Sequence, residues 1–263
     1  MATDLQKYGP WALIIGGSEG VGAAAARQLA ADGFKLVLIA RKPEPLEALK
    51  AELEAGGTEV RVKSVDLSAS DALAQVRAIT DDIEVGLMFY NAGANSVRGD
   101  FVDLDREITQ QVINVNVIGQ ADFSRHYGKL MCDRGRGGIV LTGSTGGYSG
   151  SATIVTYAAV KAFSRIFSEG LWLECGAKGV DVLHLCIGFT ATPAMERLGL
   201  PIEFAETSEE VARQGLENLA NGPVWVISTK GTIDNARSAS QFDDRAAVVR
   251  KHTVPPREST ATA

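Results

Sequence analysis

The sequence predicts one α/β domain built on a doubly wound parallel sheet of about seven strands, with helices on both faces. Three observations predict it. Short apolar runs alternate with helix-length segments from residue 11 to about residue 228. A glycine-rich turn joins the first apolar run to the first helical segment. Residues that bear chemistry follow apolar runs, at the carboxyl ends of the expected strands, where open α/β sheets bind ligands. Strands covered on both faces read as near-continuous apolar runs, and right-handed crossovers wind such a sheet with helices on each side.

Trp11–Ile15 is the first strand. Gly16-Gly17-Ser18-Glu19-Gly20-Val21-Gly22 is the turn, and alanine-rich residues 23–31 are a helix stopped at Gly33. Residues 35–40 form a strand, and residues 43–55 a helix closed by Gly56-Gly57. Residues 59–64 alternate like a strand, and Ser68 or Ser70 caps a helix that runs to about Asp81. Residues 85–90 are the fourth strand. Residues ~103–133 read as a long helix interrupted near Asn116, and residues 138–142 as the fifth strand. Residues 153–175 are a helix, and residues 180–186 the sixth strand. Ser208 caps a helix over residues 208–220, and residues 224–228 are the last strand. The whole chain, 1–263, is one domain with its core over about residues 8–230. The segment 231–263 is a polar tail, and its last ten residues or so are expected to be disordered.

Composition narrows the function. A net charge of −6 with no long single-sign run gives no footprint for nucleic acid. Cys132, Cys175 and Cys186 are scattered and His126, His184 and His252 isolated, so neither a disulfide framework nor a metal site is expected, and a cytoplasmic location is. No apolar stretch approaches the ~20 residues that span a bilayer.

Two constellations carry chemistry. The turn at Gly16, Gly20 and Gly22 sits between strand and helix, where a helix N-terminus offers free N–H groups and a positive dipole end to a pyrophosphate. Tyr157 and Lys161 share a helix face at i, i+4, and Ser144 stands thirteen residues before the tyrosine. A phenol ionises near pH 10. A lysine cation beside it favours the phenolate, and Ser144 can hydrogen-bond the oxygen that receives the proton. Such a device protonates a carbonyl or deprotonates an alcohol.

On these motifs the chain resembles the short-chain dehydrogenase/reductase family, whose fold is Rossmann-like. The glycine motif matches Gly16, Gly20 and Gly22. Asp66 matches the aspartate after the third strand, Asn91-Ala92-Gly93 the signature after the fourth, and Asn116-Val117-Ile118-Gly119 the Asn-x-x-Gly site. Ser144, Tyr157 and Lys161 match the remaining reacting residues. The match runs over about residues 10–193. Ile15 stands in place of a Thr, Tyr90 in place of an Asn, and residues 187–192 depart from Pro-Gly-x3-Thr.

The resemblance implies hydride transfer between nicotinamide and a carbonyl or secondary alcohol. Tyr157 would be the acid/base, Lys161 its tuner and a ribose ligand, and Ser144 the residue that orients the substrate. Asn116 would hold a water linking Lys161 to solvent, a role that the spacing to Gly119 assigns to it over Asn114. Cofactor contacts are expected from Ser18, Glu19, Val21, Leu67, Ala92, Gly93, Gly188 and Thr190 besides the residues matched above. Asn91 either meets a ribose or serves the turn, Asp66 either meets adenine or caps a helix, and Thr192 either positions the nicotinamide amide or caps a helix.

Ala40, not an acidic residue, ends the second strand, and Arg41 and Lys42 follow it. A guanidinium suits a 2′-phosphate, so NADP(H) is expected over NAD(H), although Glu19 in the glycine loop points the other way. The segment 189–204, with Met195, Leu198, Leu200, Pro201, Ile202 and Phe204, suggests a lid over an apolar pocket for a lipophilic substrate. Glu196 and Arg197 face either water or an acidic group. A homodimer or homotetramer is expected through the long helices, with an apolar patch drawn from Phe163, Phe167, Leu171 and Trp172, several of which must face the chain's own core. The competing reading is an NADP(H)-binding sensor or scaffold without turnover. A sugar-nucleotide epimerase is disfavoured by the glycine spacing and the short C-terminal region.

Overall fold

The computed structural model describes residues 3–93, 98–197, 199, 202–228 and 231–253. Its elements run α1 (Leu5–Tyr8), β1 (Trp11–Ile15), α2 (Gly20–Ala31), β2 (Lys35–Ala40), α3 (Pro43–Ala55), β3 (Val60–Ser64), α4 (Ala72–Arg77) and β4 (Val85–Tyr90). Then come α5 (Arg106–Ile113), a π-helical turn (Asn114–Gly119), α6 (Gln120–Arg134), β5 (Gly137–Ser144), α7 (Val155–Gly176) and β6 (Val180–Ile187). Finally α8 (Pro193–Arg197), α9 (Ser208–Glu217), β7 (Val224–Val226), α10 (Thr232–Ala239) and α11 (Arg245–His252) complete the described chain.

The seven strands are all parallel, in the order β3-β2-β1-β4-β5-β6-β7. Strand order reverses between β1 and β4, so the crevice beyond their carboxyl ends is where such a sheet takes a ligand. Two apolar layers flank the sheet. Ala24, Ala25 and Leu29 of α2 pack on Ile14, Leu36 and Leu38 on one side. Phe123, Tyr127 and Met131 of α6 pack on Leu13, Met88 and Leu141 on the other.

Several local expectations change. Thr207, not Ser208, caps α9 by accepting from Glu210 N at 3.2 Å, which leaves Ser208 Oγ to donate to Ala191 O at 2.7 Å. Neither Ser68 nor Ser70 caps α4, which begins only at Ala72. Phe167 and Leu171 pack on the chain's own core, while Ile166, Trp172 and Leu173 face outward.

The largest departure follows Gly231, where the polar segment folds into α10 and α11. Asp244 caps α11 by accepting from Ala247 N at 3.1 Å, and Arg250, Lys251 and His252 complement its carboxyl end. Arg245 ties the pair to the loop after β5, donating to the carbonyls of Ala239 (2.6 Å), Gln241 (2.9 Å) and Tyr148 (3.0 Å). A cap and charge build α11, and α10 buries the small side chains of Thr232, Ala236 and Ala239, so large apolar residues do not mark them. The ten residues expected to be disordered lie outside the described residues. Among the described residues, no helix is long and apolar enough to cross a membrane.

Candidate active site

The glycine turn forms a close-packed cradle. Gly20 has φ +56°, and a methyl group there would stand 2.9 Å from Thr192 Cγ2. A methyl group at Gly22 would overlap the Gly16 carbonyl, so the first turn of α2 lies directly against the end of β1. Ile15 O accepts from the Asn91 and Ala92 amides at 2.8 and 2.9 Å, and Asn91 Nδ2 reaches Gly16 O at 3.3 Å. Asn91 therefore serves the turn geometry itself. Glu19 precedes α2 without capping it, and the first turn of α2 carries no acidic residue, so its amides remain available to an anion. The cradle fits a pyrophosphate. Ser18 is partly buried beside it, whereas Val21 points into the core.

Charge is arranged at the mouth of the cradle. Arg197 of α8 grips Glu19 in a two-pronged pair at 3.0 and 2.8 Å, and with the field of Lys42 this holds the Glu19 carboxyl below its ordinary range. The sequence left Arg197 facing either water or an acidic group, and the structure gives it an acidic group, the carboxylate of Glu19. Arg41 and Lys42 are exposed after β2, and Arg41 O accepts from Ser64 Oγ at 2.9 Å. Asp66 Oδ1 accepts from Ser68 N and Oγ at 2.9 and 2.8 Å, and these bonds, helped by Arg41, hold its carboxyl low. Asp66 thus closes a turn, while Leu67 packs on the core.

Beyond β6, Gly188 backs onto Thr232 of α10, and Thr190 Oγ1 donates to Gly188 O at 3.2 Å. Thr192 Oγ1 accepts from Met195 N at 3.3 Å, so it caps the short α8. Leu198, Leu200 and Pro201 of the expected lid lie outside the described residues. Phe189 is partly exposed and Phe204 almost fully so. A cleft of about 570 Å³ is lined by Tyr148, Trp225, Val226, Ile233 and Ala236. It shares Tyr148 with the loop after Ser144, but neither Ser144 nor Tyr157 lines it.

Ser144, Tyr157 and Lys161 come together at the end of β5. Ser144 Oγ accepts from Gly146 N at 3.1 Å, and the Ser144 hydroxyl and the Tyr157 ring both stand against Gly146. Burial pushes the Tyr157 phenol up, the neighbouring Ser144 hydroxyl pulls it partly back, and the field of Cys186 adds to the rise. Lys161 Nζ lies 5.7 Å from the Tyr157 ring centroid and donates to Thr142 O at 3.0 Å. Burial therefore dominates the phenol's hold on its proton, and Ser144 is the group that loosens it. Thr142 is a residue the sequence missed, because it contributes only its carbonyl. Asn116 sits in the π-helical turn, where the sequence expected an interruption, and is 2% exposed. Its Nδ2 donates to Val112 O at 2.9 Å, Gly93 packs against its carboxamide, and its Oδ1 is buried without a partner among the described residues.

Lys161 is 3% exposed, and burial lowers its pKa from 10.5 to about 8. The folded chain binds this proton less tightly than the unfolded one. Stability therefore rises with pH between about 8 and 10.5, and the penalty is fully present below pH 8. Lys161→Met removes about 3 kcal/mol of penalty and forfeits about 1 kcal/mol of hydrogen bond. Urea melts of the variant are expected to show a gain of about 2 kcal/mol at pH 7 that fades toward pH 10. An unchanged midpoint at pH 7 would contradict the strained-cation account.

Residues 10–201 match the family model described as short chain dehydrogenase. A 7beta-hydroxysteroid dehydrogenase of Clostridium sardiniense is 33% identical over 219 residues, covering 81% of this chain and 84% of that protein. A very-long-chain 3-oxoacyl-CoA reductase of Pyricularia oryzae is 32% identical over 222 residues, covering 81% and 67%. Among solved structures, a 7beta-hydroxysteroid dehydrogenase superposes with a TM-score of 0.88 at 30% identity, covering 95% of this chain and 98% of that one. A short-chain dehydrogenase from Sphingobium yanoikuyae in complex with NADPH superposes with a TM-score of 0.77 at 26% identity, covering 97% and 100%. The chain belongs to the short-chain dehydrogenase/reductase family and is an oxidoreductase of the kind that acts on hydroxyl and keto groups with a nicotinamide dinucleotide.

Proposed function

We propose that this enzyme is an NADP(H)-dependent oxidoreductase for the carbonyl or secondary alcohol of a lipophilic small molecule. The observation that carries it is the meeting of the Ser144 hydroxyl and the Tyr157 ring against Gly146, with Lys161 Nζ beside that ring, at the same sheet edge as the cradle. A bound nicotinamide supplies or accepts the hydride. Tyr157 gives its phenolic proton to the carbonyl oxygen in reduction and takes it from the alcohol in oxidation. Ser144 donates to that oxygen and supports the charge that develops there. Lys161 orients the phenol and holds the ribose, and Asn116 Oδ1 takes the water that returns protons to Lys161. Gly16–Gly22 and the α2 amides hold the pyrophosphate, with Gly93, Gly188, Thr190 and Thr192 along the nicotinamide half.

The preference for NADP(H) rests on charge. Arg41 and Lys42 follow an uncharged strand end, and the carboxylate that opposed a 2′-phosphate, Glu19, is neutralised by Arg197. A lipophilic substrate is favoured by the exposed rings of Phe189 and Phe204 beyond β6, and by the steroid and long-chain acyl substrates named for the relatives. Self-association is proposed through the π-helical turn, α6 and α7, where Ile118, Leu130, Ile166 and Leu173 are exposed.

Five outcomes are expected. With a 7-keto steroid, a long-chain 3-oxoacyl thioester and an aryl alkyl ketone as the panel, at least one is reduced with loss of NADPH absorbance. Tyr157→Phe lowers kcat by roughly 10²–10⁴ with NADPH affinity retained. Because the phenol is held up, reduction stays flat through neutral pH and falls in alkali, while oxidation rises with pH. A Tyr157→Phe variant with wild-type turnover would refute the assignment. Arg41→Ala weakens NADPH binding roughly 10- to 100-fold in a fluorescence titration and leaves NADH unaffected; equal changes for both would overturn the cofactor preference. Sedimentation at micromolar concentration should give a dimer or tetramer, and a clean monomer would exclude the association.

A further inference from the structure

Tyr90 ends β4 at 0% exposure, and its hydroxyl has no part in the chemistry above. A ring alone would fill this position in the apolar layer, where it packs edge-on against Phe123 with centroids 5.9 Å apart. The hydroxyl has a separate target: Tyr90 Oη donates to Val115 O at 2.6 Å. Val115 lies inside the π-helical turn and directly precedes Asn116.

A π turn widens a helix by one residue, and a carbonyl in it loses its α-helical partner. An orphaned buried carbonyl costs free energy comparable to a lost hydrogen bond, so the turn is held only where something else donates to it. Burial keeps the Tyr90 phenol protonated, so it is always a donor. Gly119 fits this arrangement, since a methyl group there would overlap the Tyr90 hydroxyl. If the turn closed to a regular α-helix, residues after it would rotate by about 100° relative to those before it. The Asn116 carboxamide, set against Gly93 and Val112 O, would lose that register.

We propose that Tyr90 is a positioning residue, whose hydroxyl holds the π-helical turn open and so keeps Asn116 Oδ1 directed at the proton relay. The inference rests on the relay reading of Asn116 given above.

Tyr90→Phe keeps the ring and removes the hydroxyl. Amide hydrogen exchange over residues 114–119 is expected to accelerate about five- to tenfold, a readout independent of activity. With the fastest ketone of the panel, kcat falls by a similar factor, while KM and the NADPH dissociation constant hold. Phe123→Leu, which loosens the same ring packing but spares the hydroxyl, lowers Tm at least as much and retains kcat. In an Asn116→Ala background the Tyr90→Phe change adds no further loss, because both act through one group. Unchanged exchange in Tyr90→Phe, additive kcat losses, or an equal kcat loss in Phe123→Leu would each overturn the inference. If Asn116→Ala alone leaves kcat intact, the relay reading falls and the positioning role with it. An effective Asn116→Ala with a silent Tyr90→Phe overturns the positioning role alone.

Discussion

The bond from Lys161 Nζ to the Thr142 carbonyl fixes how closely α7 approaches β5, and the reacting geometry depends on that distance. The helix carries Tyr157 and the strand ends in Ser144, so an error in their separation parts the phenol from the hydroxyl beside it. The approach is tight elsewhere too. Gly147, in the turn after Ser144, lies against the backbone of Lys161, and a methyl group there would stand 2.5 Å from the Lys161 carbonyl carbon. A strand end, a bare turn and a helix thus meet at one place, and an ammonium is buried to hold them. Apolar packing could fix the spacing at lower cost. It could not leave a cation beside the ring of an acid/base group.

Opposing charge does related work at the cradle. An acidic residue in a loop that receives phosphates raises the local potential barrier, unless a cation from elsewhere in the chain cancels it. Arg197 does so from a helix nearly two hundred residues away, as its two bonds to Glu19 show. The pair also joins α8 to the start of α2. The segment that follows β6 is thereby fastened over the crevice at two points, through this pair and through the contact between Thr192 and Gly20.

Much of this was legible in the sequence, for identifiable reasons. The parallel strands are buried on both faces, so apolar runs such as residues 35–40 and 85–90 gave their positions almost to the residue. The glycine turn and the Tyr157–Lys161 spacing were legible because backbone approach and helix periodicity leave few alternatives. The interruption at Asn116 was also visible, but not its π-helical form, which rests on a hydroxyl from another strand. What stayed hidden was of two kinds. Bonds made by backbone carbonyls, such as Thr142 to Lys161 and Val115 to Tyr90, carry no residue-type signal. Elements without large apolar side chains facing the core, α11 held by its cap and α10 by small buried residues, read as polar tail. The upward shift of Tyr157 was hidden as well: the lysine was visible, but the burial of the phenol was not.

The docking of Arg245 on Tyr148 and of Thr253 on Ala152 spans 97 and 101 residues of chain. By contrast, the cradle is assembled from strands that all lie within the first 93 residues. A chain made from its N-terminus gains the parts of the nucleotide half long before the loop behind Ser144 has its backbone partners. Vectorial synthesis therefore gives the molecule an order of assembly in which the coenzyme platform precedes completion of the reacting loop.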